Sequence, residues 1–146
     1  MPTYLGPSAI QGLGVFTPQF IPAGTRLWQF DPSVDWRLRG EEVDQMPASC
    51  LGQFRRWSYI DEEGMYVFCG DNAKFMNHSE APNCDDQGGE HTVALRDIQA
   101  GEELTCDYRL FDEESKQLGG GLFVNGHLRC AVEAARAAVP GLARSG

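Results

Sequence analysis

Basic residues are scarce in this sequence: 12 lysines and arginines face 21 aspartates and glutamates, a formal net charge of −9. Such a surface repels phosphate backbones, so no direct nucleic-acid partner is expected, and it favours encounter with basic protein surfaces. Long apolar runs are missing as well. Nowhere do about 18 consecutive apolar residues occur, and residues 1–12 have neither a basic start nor an apolar run of about 7–15 residues. No membrane partner and no secretory leader are expected, and the reading is a soluble, cytoplasmic protein. Closely spaced cysteines are absent too. The five stand at positions 50, 69, 84, 106 and 130, never closer than 15 positions apart. No disulfide framework or zinc signature with ligands three or four positions apart can be read from that spacing, so buried, reduced thiols are expected.

What is present suits one globular domain spanning residues 1–146, with 42% hydrophobic and 10% aromatic residues. Between Gly12 and Tyr108 turn residues recur between short β-rich stretches, predicting a mainly β (α+β) fold. Gly14-Val15-Phe16, Thr25 to Phe30, Tyr66-Val67-Phe68, Thr92 to Arg96 and Glu103 to Tyr108 read as strands. Ile21-Pro22-Ala23-Gly24 is echoed by Ile98-Gln99-Ala100-Gly101, but two copies are not an array. Residues 40–57 predict a short helical insert interrupted at Pro47. After the acidic Asp112-Glu113-Glu114 and the flexible Gly119-Gly120-Gly121, the spacing of Leu128, Val132, Ala135 and Val139 predicts a C-terminal helix with Asn125 as its N-cap.

Four segments carry the chemistry: Gly12-Leu13-Gly14-Val15-Phe16, Lys74-Phe75-Met76-Asn77-His78-Ser79, Pro82-Asn83-Cys84 and Gly101-Glu102-Glu103-Leu104-Thr105-Cys106-Asp107-Tyr108. In this order they resemble the SET-domain lysine methyltransferases. The resemblance implies a β-clip fold of small curved sheets, with the Asn77 and Tyr108 segments packed as a knot-like core. It also implies S-adenosylmethionine as cofactor and methyl transfer to a lysine of a basic protein substrate. Donor and lysine would enter from opposite faces of a narrow channel, because displacement at a sulfonium methyl needs nitrogen, carbon and sulfur in line.

Carried over residue by residue, the resemblance gives Tyr108 the catalytic hydroxyl. Gly12, Leu13 and Gly14 would let backbone approach the methionine end of the donor, Asn77 would bond its ammonium or carboxylate, and His78 would meet adenine through its backbone. Phe111 or Phe123 would stack on adenine. Phe30, Tyr59, Tyr66 and Cys106 would line the substrate channel. Read without the resemblance, Asn77 and His78 equally suit turn caps, and Tyr108 a packed ring bonded to a backbone carbonyl.

Departures from the family pattern bear on these roles. Many relatives have a cysteine after Asn-His-Ser and three more near the C-terminus, together holding zinc; here Glu80 and the lone Cys130 stand instead, so no metal is expected. Residues 111–146 are the expected closing segment, either folded back, in a monomer, or exchanged between two chains, in a homodimer. Cys106 replaces an aromatic that limits methylation state, leaving room that Trp57, Tyr59 or Tyr66 could fill. Phe30-Asp31-Pro32 replaces a tyrosine-x-glycine, and Lys74 replaces an arginine. These losses leave an alternative: an inactive SET-fold protein that binds S-adenosylmethionine or a peptide.

Overall fold

The two echoing tetrapeptides meet at the centre of the fold. In the computed structural model, which describes residues 1–117, Ile21 and Ile98 are both 0% exposed and face each other in an isolated antiparallel bridge. Each donates its N–H to the other's carbonyl, at 2.9 and 2.8 Å. The glycines closing the turns, Gly24 and Gly101, take left-handed φ angles of 80° and 87°, which a Cβ disfavours. Each sends its N–H into the other unit, Gly24 to the Ala94 carbonyl and Gly101 to the Thr17 carbonyl, both at 2.7 Å. The sequence echo is thus a reciprocal exchange between two strand-turn-strand units.

The chain runs through β1 (Tyr4–Pro7), β2 (Leu13–Phe16), β3 (Arg26–Gln29), β4 (Trp36–Leu38), α1 (Gly40–Asp44), α2 (Ala48–Trp57), β5 (Ser58–Ile60), β6 (Tyr66–Phe68), β7 (Asn77–His78), β8 (Cys84–Asp85), β9 (His91–Ala94), β10 (Glu103–Cys106) and α3 (Glu113–Gln117). Three small sheets result, in the orders β1-β2-β10-β7, β3-β9-β8 and β4-β6-β5. Only the β10–β7 pair is parallel among them. Val15, Ile21, Met76, Cys84, Ala94, Ile98, Leu104, Cys106 and Phe111 form the core between the sheets.

The helical insert forms where expected, as α1 and α2 divided at Pro47. Glu42 accepts the Arg39 N–H at 2.8 Å at the start of α1, satisfying a donor that the helix leaves over. Val43 and Phe54 turn inward, and Phe54 stacks on Phe68 of β6 at 5.0 Å.

One expectation is amended and three elements were not foreseen. The strand expected to reach Tyr108 stops at Cys106, because the Asp107 carboxylate accepts the Arg109 N–H at 3.0 Å and turns the chain into a 3-10 turn over Tyr108–Leu110. β1, largely exposed and containing Gly6 and Pro7, was not expected; it is held by pairing with β2 and by stacking of Tyr4 on Phe16. β4, three largely exposed residues, was likewise not expected and exists by pairing with β6. The acidic stretch after Tyr108 begins α3. Asp112, 2% exposed, accepts the Ile60 N–H at 3.0 Å and the Ser115 hydroxyl at 2.5 Å, tying α3 back onto β5. The glycine run at 119–121, Phe123, Cys130 and the helix expected from Asn125 lie outside the described residues.

Candidate active site

The parallel pairing of β7 and β10 sets Asn77 opposite Thr105 and His78 opposite Cys106. Two motifs far apart in sequence therefore lie side by side. The third motif clips them: the Asn83 side chain donates to the Glu103 carbonyl and accepts the Thr105 N–H, both at 2.8 Å, extending β10 with a side chain in place of a strand. Tyr108 follows directly. Its N–H donates to His78 Nδ1 at 3.2 Å and its hydroxyl to the Met76 carbonyl. With the hydroxyl proton held there, the oxygen lone pairs are what Tyr108 can offer a ligand. The ring packs against His78 at 5.4 Å and Phe111 at 5.9 Å.

Electrostatics around this knot are set by burial and one ion pair. Burial lowers the His78 pKa below the ordinary histidine value, against the opposing effect of Asp107, which suits a neutral ring that accepts at Nδ1. The fork of Arg109 holds Asp107 ionised, at 2.8 and 2.6 Å, and lowers its pKa. Beneath the site Cys106 is 2% exposed, its thiol pushed well up by burial. Asp86 interacts with that thiol and accepts the Thr92 hydroxyl at 2.5 Å; burial pushes its carboxyl up to about 6.

Asn77 is 0% exposed. Its Nδ2 donates to the carbonyls of Leu13 at 3.1 Å and Gln11 at 3.2 Å, and to Glu103 Oε1 at 2.8 Å. Its Oδ1 is buried without a hydrogen-bond partner among the described residues. The Gly12-Leu13-Gly14 segment therefore lies against Asn77. At Gly14 the close approach is internal: a Cβ there would stand 2.1 Å from Glu103 Oε1. At Gly12, with φ of 51°, no atom lies within 4 Å of that position.

On another face Phe30, Tyr59 and Val67 form the apolar part of a groove of about 510 Å³, edged by Asp61, Glu62, Glu63 and Glu90, with Arg37 as its one cation among the described residues. Arg37 is neutralised in place by Asp61 at 2.7 Å and Glu63 at 3.1 Å. Tyr59 donates to the Gly89 carbonyl at 3.0 Å, and burial raises its pKa far above the ordinary value. Its ring meets Phe111 edge-on at 4.9 Å, so the groove and the Tyr108 knot share an aromatic wall.

The residues expected in the substrate channel thus divide. Phe30 and Tyr59 line the groove, and Cys106 lies in the core beneath. Tyr66 does not line it, because alternation along β6 gives that face to Val67. Phe111 is 8% exposed and wedged between Tyr59 and Tyr108, so adenine stacking is not assigned to it. Trp57 packs on Phe75 at 4.7 Å, and Lys74 lies over the rings of Phe68 and Phe75. Sequence reasoning missed Glu103 and Asp86. For Glu103 the available signal was its place in the Gly101–Tyr108 motif, at position i of a strand whose i+2 neighbour, Thr105, faces inward.

The SET domain family profile matches residues 12–109. The chain belongs to the SET-domain family. It is 30% identical over 125 residues to the "Histone-lysine N-methyltransferase, H3 lysine-4 specific" of Schizosaccharomyces pombe, covering 77% of this chain and 13% of that protein. It is 34% identical over 120 residues to the human "Histone-lysine N-methyltransferase 2B", covering 74% of this chain and 4% of that protein. The chain thus spans a small fraction of the length of the curated relatives it matches. The crystal structure of a Plasmodium falciparum protein described as a "putative histone methyltransferase" superposes with a TM-score of 0.52 at 19% identity, covering 73% of this chain and 96% of that one. That match is one of fold. Among the described residues no group of three or more His, Cys, Asp or Glu is placed to hold a metal ion, and no helix is long and apolar enough to cross a membrane.

Proposed function

We propose that this SET domain binds S-adenosylmethionine and transfers its methyl group to a lysine side chain of a basic protein. The observation that carries the reading is the buried, unpartnered Oδ1 of Asn77, next in sequence to the Met76 carbonyl that anchors Tyr108. A buried acceptor without a donor is destabilising by about 1–3 kcal/mol, and the ammonium of the donor's methionine end supplies the missing N–H. The donor set therefore fits the cofactor at Asn77: Asn77 and the Gly12-Leu13-Gly14 backbone would hold its methionine end, and the His78 backbone its adenine. Bound there, S-adenosylmethionine contributes an electrophilic methyl on a positively charged sulfur.

The remaining work falls to the protein. The Tyr108 oxygen, its proton committed to Met76, would accept from the incoming amine and stabilise the polarised methyl. A free lysine has a pKa near about 10.4, and the aromatic wall of Tyr59, Phe111 and Tyr108 disfavours its charged form, so the amine sheds its proton to solvent without a strong base. The acidic edge of the groove draws in a basic protein.

The test is incubation with tritiated donor and a panel of purified basic proteins. A labelled substrate supports transfer. Donor binding without any label supports instead the inactive binding protein, the reading favoured by Phe30, which puts no hydroxyl in the groove.

A further inference from the structure

We infer that Glu103 is the positioning residue of the donor cradle, acting through Asn77. This rests on the donor-binding reading above. The Glu103 carboxylate joins three otherwise separate pieces. Its Oε1 accepts the Asn77 amide at 2.8 Å, the shortest of the three contacts made by Nδ2. Both its oxygens receive the Ser8 hydroxyl, at 2.8 and 2.9 Å, and Oε1 occupies the space where Gly14 lacks a Cβ.

An amide can bond through either end, and the direction of Asn77 is decided by what surrounds its NH₂. Two carbonyls and a carboxylate, all acceptors, surround it, so Oδ1 is forced to the other side and left as an acceptor for a ligand's ammonium. The carboxylate is the strongest of the three, since charge-assisted bonds are roughly twice as strong as neutral ones. Ser8 completes the arrangement. Its oxygen accepts the N–H groups of Ile10 and Gln11 at 2.9 and 3.2 Å, and its N–H donates to the Gly12 carbonyl at 2.8 Å. Glu103 thereby holds the turn leading into Gly12 in the same frame as Asn77. No lysine, arginine or histidine among the described residues forms an ion pair with Glu103. Gly14 and Glu103 are a matched pair: glycine at one strand position makes room for the carboxylate of the other.

The experiment compares two ligands by titration calorimetry: S-adenosylhomocysteine, and its analogue with hydrogen in place of the amino group. Wild type prefers the amino ligand. Glu103→Ala loses roughly 10–100-fold on the amino ligand and stays within about twofold on the des-amino analogue, because the ammonium contact alone depends on the aimed Oδ1. Glu103→Gln keeps one acceptor oxygen and the volume but not the charge. It therefore keeps the question decidable if the alanine variant does not fold, with a loss of roughly 3–10-fold on the amino ligand only. Equal losses on both ligands in either folded variant reduce Glu103 to scaffolding and overturn the inference, as does a wild type that binds both ligands equally. A wild type that binds neither overturns the donor-binding reading itself, and this inference with it.

Discussion

On the proposed function, the Tyr108 hydroxyl is the group whose removal should separate chemistry from folding. Tyr108→Phe keeps the ring packing on His78 and Phe111 and gives up the bond to Met76, so urea unfolding should weaken by about 1 kcal/mol. Donor affinity by calorimetry should be unchanged, while turnover falls by roughly 10²–10³-fold. Asp86 offers a second handle. Its carboxyl is pushed from 3.8 up to about 6 by burial. A folded pKa above the unfolded one means a contribution to stability that is full below about 4 and lost as pH rises through about 6. Asp86→Asn should therefore stabilise the protein at pH 7.5, by up to ~3 kcal/mol from a two-unit shift, and bring no gain at pH 3.5. Thermal melts at the two pH values check the sign; an equal effect at both contradicts it. Asn77 and Tyr108 were legible in the sequence because they sit in motifs. Glu103 sits in a motif as well, but neither its role nor that of Asp86 was legible, because each depends on a side chain brought from elsewhere in the chain: Asn77 for Glu103, Cys106 for Asp86.

Among the elements, the reciprocal Ile21–Ile98 bridge holds the two strand-turn-strand units together. Ile21→Ala or Ile98→Ala should each destabilise by about 2–5 kcal/mol. The double variant should lose less than the sum of the two, since the second truncation enlarges a cavity already made. Additive losses in urea unfolding would show that the two side chains do not share one packing site. The echo was visible in the sequence, but its meaning was not, since nothing local says that two copies will pair with each other. The helical insert and its break at Pro47 were legible from spacing and from proline chemistry. β1 and β4 escaped notice because both are short and largely exposed, existing by their pairing partners. Asp112 shows the same limit: nothing in an acidic stretch marks a buried carboxylate until Ile60 and Ser115 are seen bonding to it.

For the whole molecule, the net charge of −9 and the acidic edge of the groove predict recognition of a basic protein with a marked salt dependence. The Glu62→Gln/Glu90→Gln double variant should raise KM for such a substrate several-fold at low salt and leave kcat unchanged. The difference should vanish near 1 M salt, where the screening length falls to about 3 Å. A KM unaffected at low salt would remove the groove from substrate binding. The central claim is transfer of a methyl group to lysine at Tyr108. It is tested most directly by a single-turnover reaction of excess enzyme and S-adenosylmethionine with a basic protein, read by mass spectrometry of the substrate's peptides. The account predicts that wild type adds methyl to a lysine Nζ and that Tyr108→Phe, binding donor equally well, adds it roughly 10²–10³ times more slowly. Transfer at equal rates by both proteins, or label on a residue other than lysine, would contradict it.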